Sequence, residues 1–109
     1  MAISKEYLEY LKDQFRDLGE IEIKKMFGGA GLYLDSPMFA LVADETLYLK
    51  VDDGNRSDYE ELGLTPFKPF ENKPMTMSYY LVPDDVLENR EDLAIWAKKA
   101  IEAALRAKK

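Results

Sequence analysis

Lys24-Lys25-Met26-Phe27-Gly28-Gly29-Ala30-Gly31-Leu32-Tyr33-Leu34 decides the fold, because three glycines fall within four positions between an apolar run beginning at Ile21 and another ending at Leu34. A tight reversal between two strands needs residues that tolerate positive φ, so the stretch reads as a β-hairpin corner. A glycine cluster after a strand also invites a phosphate-loop reading. The dinucleotide fingerprint requires a third glycine and then a helix whose amides hold the pyrophosphate. Counted from Gly29, the third glycine position is Leu34, and turn-forming residues follow it. There is no Gly-Lys-Ser/Thr either, so the hairpin corner is preferred.

Upstream, Ser4 suits an N-cap, and Leu8, Leu11, Phe15 and Leu18 recur at helical spacing before Gly19, predicting an amphipathic helix over residues 4–18. From Ile21 the period changes to two, with Ile21, Ile23 and Phe27 alternating against Glu22 and Lys24. Downstream, Asp35-Ser36-Pro37 signals a turn. Met38 to Ala43 is apolar at every position, as in a central strand covered on both faces or one whose second face meets a partner. Thr46 to Val51 alternates again, completing an antiparallel meander of four strands.

Asp52-Asp53-Gly54-Asn55 resembles a calcium loop at a glance. Aligning Gly54 with the loop's sixth position puts Leu49 and Val51 where ligands are required, so Asp52 or Asp53 is instead expected to cap a short helix through Tyr59 and Leu62. Leu64 to Lys73 reads as a loop or edge strand, Met75 to Val82 as a fifth strand, and Pro83-Asp84-Asp85 as the start of a helical turn. Asn89 then caps a last helix with a buried stripe of Leu93, Trp96, Ala100, Ile101, Ala104 and Leu105. The expected order is α-β-β-β-β-α-β-α, a two-layer α+β domain over residues 1–109 with an antiparallel sheet of about five strands.

Composition removes several function classes. The 109 residues contain neither cysteine nor histidine, which excludes a thiolate nucleophile, a disulfide framework, ordinary zinc or haem ligation and a side chain titrating near neutrality. No metal, cofactor or catalytic residue is assigned. A net charge of −6 argues against autonomous DNA binding, which depends on a basic face. No apolar run approaches a membrane span, and the early charges Lys5, Glu6 and Glu9 do not fit a signal peptide, so a cytoplasmic location is expected. Asp84 and Asp85, adjacent on a turn, do not converge as a catalytic pair must. Tyr79 and Tyr80 alternate to opposite faces, and one of them is expected to fill the core.

Lys25 to Leu34, Met38 to Ala43, Leu47 to Val51 and Met75 to Tyr80 together resemble the N-terminal domain of the TfoX/Sxy family, nearly the whole chain being covered. The resemblance implies a two-layer fold similar to secretion chaperones. It also implies a non-enzymatic role in regulating competence genes beside a cyclic-AMP receptor-like transcription factor or RNA polymerase. Regulatory members of the family typically carry a further C-terminal domain similar to helix-hairpin-helix DNA binders. The candidate interaction surface is Lys24, Lys25, Met26, Phe27, Gly28, Gly29, Gly31, Lys50 and Tyr80. The alternative is a small-molecule binder or minor enzyme using Lys24, Lys25, Lys50 and a tyrosine in a pocket on the sheet. A homodimer paired through Met38 to Ala43 is the other association the sequence offers.

Overall fold

The computed structural model describes residues 4–26, 29–35, 37–43, 46–64, 66 and 78–107. The elements are α1 (Lys5–Gln14), β1 (Glu22–Met26), β2 (Gly29–Tyr33), β3 (Ala40–Ala43), β4 (Thr46–Lys50), α2 (Arg56–Glu60), β5 (Tyr79–Leu81), α3 (Asp84–Glu88) and α4 (Arg90–Ala107). The five strands form one antiparallel sheet in chain order, β1-β2-β3-β4-β5. This is the expected α+β arrangement, with the Asp84 turn added as a short helix before α4.

α1 begins where expected, the Ser4 hydroxyl accepting from the Tyr7 amide at 3.2 Å. Regular helix ends at Gln14 and continues as turns to Gly19, whose φ of +144° lies where a side chain would be strained. Period-two alternation then turns one face of the sheet towards the helices. Ile23, Leu32, Ala40, Leu49 and Tyr80 form one cross-strand row of that face, and Lys25, Ala30, Val42 and Leu47 the next. Against it pack Leu8, Leu11 and Phe15 from the α1 segment and Leu93, Ala97, Ala100 and Ala104 from α4. Phe15 and Phe39 meet edge to face with centroids 5.7 Å apart.

Several expectations need correction. The last helix buries Leu93, Ala97, Ala100, Ala103 and Ala104, while Leu105 is exposed and Trp96 and Ile101 are half-buried, because alanines let α4 lie close to the sheet. Neither Asp52 nor Asp53 caps α2; the N-cap is Asn55, and Leu62 lies exposed beyond the helix end. β3 hydrogen-bonds to β2 on one side and β4 on the other, so it has no free edge with which to pair a second copy. Among the three glycines of the corner, Gly29 and Gly31 belong to β2 rather than to the reversal. The register Met26↔Gly29 makes β1 and β2 the expected hairpin, while Phe27 and Gly28 lie outside the described residues, as do Thr65, 67–77 and most of the proposed loop after Leu64.

Candidate functional site

The sheet face turned away from the helices carries most of the unusual chemistry. Its central row runs Lys24, Gly31, Leu41, Tyr48, Leu81, and the adjoining row includes Glu22 with Tyr33 and Lys50 with Tyr79. Each lysine lies over a neighbouring ring: Lys24 Nζ is 5.0 Å from the Tyr33 centroid and Lys50 Nζ 5.1 Å from that of Tyr79. The Tyr79 hydroxyl donates to the Met38 carbonyl at 3.0 Å. Burial, and secondarily Tyr33, pushes its pKa up to about 12, so it stays a neutral donor at physiological pH. Tyr79 therefore fixes the Met38 segment to the sheet rather than serving as a base.

The sequence-predicted residues divide between faces. Lys24, Gly29, Gly31 and Lys50 lie on the outer face, whereas Lys25 and Tyr80 lie on the helix-facing side. Lys24 and Lys50 stand three strand spacings apart, about 14 Å, so they address different rings and do not converge. Tyr80 packs against the core with its ring 5.5 Å from Tyr59. Met26 is placed by its backbone alone, and Phe27 and Gly28 are outside the described residues. The cavity beside Lys50 and Tyr79 measures about 180 Å³, smaller than the several hundred Å³ usual for a small-molecule site. No group of three or more His, Cys, Asp or Glu that would hold a metal occurs among the described residues.

Glycine in β2 is a packing requirement. A Cβ on Gly29 would stand 2.2 Å from the Val42 carbonyl oxygen, and one on Gly31 would stand 2.5 Å from Met38 Sδ. Gly29 thus admits the β3 backbone, and Gly31 admits a methionine side chain.

Sequence reasoning missed the loop after β4. Asn55 is 1% exposed; its Oδ1 accepts from the Asp52 amide at 2.8 Å and its Nδ2 donates to the Lys50 carbonyl at 3.1 Å. Arg106 of α4 grips Asp52 through Nε at 2.6 Å and Nη2 at 2.8 Å, holding that carboxyl below the usual range. An Asp-x-x-Asn signal was present, but its partner Arg106 lies 54 residues away. Tyr59 is 1% exposed between Tyr80 and Trp96, its centroid 4.7 Å from the Trp96 ring, and burial raises its pKa. Its hydroxyl meets no hydrogen-bond partner among the described residues. Removing that oxygen relieves a desolvated group at little packing cost. Tyr59→Phe is expected to be neutral or to stabilise by about 1 kcal/mol in urea denaturation, and a loss above about 1 kcal/mol would contradict this account.

Comparison with known proteins places this arrangement. The chain is 32% identical over 82 residues to the DNA transformation protein TfoX1 of Aliivibrio fischeri, covering 71% of this chain and 39% of that protein. It is 31% identical over 94 residues to the protein Sxy of Escherichia coli, covering 84% of this chain and 44% of Sxy. The chain therefore spans less than half the length of these curated relatives. The TfoX N-terminal domain pattern matches residues 13–104, from the last turn of α1 through most of α4, and the chain belongs to the TfoX N-terminal domain family.

Proposed function

We propose that this chain is a non-enzymatic adaptor in the control of DNA-uptake genes, acting by contact with a protein of the transcription apparatus. The observation that carries the reading is the family match over residues 13–104, reinforced by relatives of which one is named for DNA transformation. The local chemistry agrees with it. The described groups with shifted pKa values are ion-paired aspartates and arginines and two buried tyrosines, none of them poised as a general acid or base near neutrality. The partner favoured by the resemblance is a cyclic-AMP receptor-like factor or RNA polymerase.

The test is a nuclease-treated pull-down of the tagged chain from a lysate of its own cells, with bound proteins identified by mass spectrometry. Recovery of a cyclic-AMP receptor-like protein or RNA polymerase above a tag-only control is the expected result. Recovery of neither, with the bait folded by circular dichroism, would overturn the adaptor reading.

A further inference from the structure

We propose that the outer edge of β1, which no described strand pairs, and the groove between β1 and α1 form a docking site for an extended acidic peptide segment, captured by strand addition. Backbone directions establish the edge. Lys50 N–H donates to Phe39 O, whereas Val51 N–H donates to Ser78 O and Val82 N–H to Leu47 O. Alternation from these bonds through the registers turns Ala30 and Leu32 towards β3 and Gly29, Gly31 and Tyr33 towards β1. Glu22, Lys24 and Met26 consequently bond to β2. Ile23 and Lys25 are left with their amides and carbonyls pointing outwards.

Those same two residues line the groove. A cavity of about 460 Å³ is bounded by Lys5, Leu8, Glu9 and Lys12 of α1 and by Ile23 and Lys25 of β1. It adjoins a larger one of about 810 Å³ that shares Lys12 and Ile23 and extends past Gly19 to Glu22, so the trough follows the length of the strand. Around the smaller cavity Leu8 and Ile23 supply an apolar floor and three lysines face one glutamate. The larger one adds Glu20, Glu22 and Arg16, the last already paired with Asp13, so the cationic rim is the stretch at Lys5, Lys12 and Lys25. Ion pairing among the described residues uses Asp13, Asp52, Asp53 and Asp58 and leaves Lys5, Lys12 and Lys25 unpaired. The cationic rim is conspicuous on a chain of charge −6.

The geometry selects the occupant. A strand added beside β1 exchanges main-chain hydrogen bonds with Ile23 and Lys25, and its alternate side chains overhang the trough. Acidic groups at those positions meet Lys5, Lys12 and Lys25. A second copy of this chain, pairing β1 with β1 in antiparallel, is the competing occupant, and the oligomeric state of the free chain tests it. Any protein with such a segment qualifies, whether or not the chain acts as an adaptor in transcription.

The probe is a fluorescein-labelled nonapeptide alternating glutamate with valine, titrated into the full chain and followed by anisotropy and by amide hydrogen exchange. Saturable binding is expected, with new protection at the Ile23 and Lys25 amides, which should exchange freely without peptide. Lys12→Glu should weaken binding roughly fivefold to tenfold, and N-methylation of the peptide at alternate residues should abolish it. No saturation below about 1 mM, equal binding of the N-methylated or lysine-for-glutamate peptide, or protection appearing elsewhere would each overturn the proposal. So would sedimentation showing the free chain as a dimer with those two amides already protected.

Discussion

Gly29→Ala is expected to destroy cooperative folding or to lower Tm by more than about 15 °C, a loss of at least about 4 kcal/mol. The added carbon would stand 2.2 Å from the Val42 carbonyl oxygen and 3.4 Å from its carbon, both main-chain atoms of β3. β3 is itself bonded to β4, so relief requires moving two strands together. Gly31→Ala separates this effect from simple loss of glycine. Its new carbon meets Met38 Sδ and Cγ and the Tyr33 ring, side-chain atoms that yield more easily than the main chain of a paired strand. Gly31→Ala should therefore cost clearly less, and thermal unfolding by circular dichroism decides the order. Equal melting temperatures for Gly29→Ala and the parent chain would refute the close-approach argument. A Gly29 substitution accordingly reads out folding and is no probe of partner binding.

Phe15→Ala is expected to cost about 3–5 kcal/mol, read as a lower urea midpoint with an unchanged slope. Phe15 is fully buried, packs edge to face on Phe39 and sits where the helix gives way to the turns leading to Gly19. It anchors α1 to the sheet, assisted by Gln14, whose side chain donates to the Leu87 carbonyl at 2.7 Å, and by Asp13, which Arg90 reaches from α4 at 2.6 Å. The ion pair is exposed and screened, so the ring carries the larger share. A loss below about 1.5 kcal/mol would mean that the cavity collapses and the anchor lies elsewhere.

The meander was legible because its signals are local. Ser4, the period change at Ile21, the alternation from Thr46 to Val51 and Asn89, which accepts from the Asp92 amide at 3.1 Å, all act within a few residues of the structure they specify. The faces of the candidate surface were less legible. Lys25 occupies an inward position in the alternation of Ile21 and Ile23, yet a charge there reads equally as a break in the pattern until the register is known. Tyr80 joins the lysines in a reading from sequence because nothing local tells which of two adjacent tyrosines faces the helices; pairing with Leu49 decides it. The Arg106 contact and the enclosed Tyr59 hydroxyl depend on α4 returning across the sheet, information that no short window contains.

Strand order has a consequence for stoichiometry. β5 is three residues long, and on its outer side Pro66 bridges Tyr80, placing a residue without an amide hydrogen where another strand would begin. β1, at the other end, is five residues long. The sheet therefore offers one pairing edge among its described residues, the one at β1. The chain would carry one site for a ligand strand on this sheet, and copies of the chain joined edge to edge would close as a pair instead of propagating into a filament.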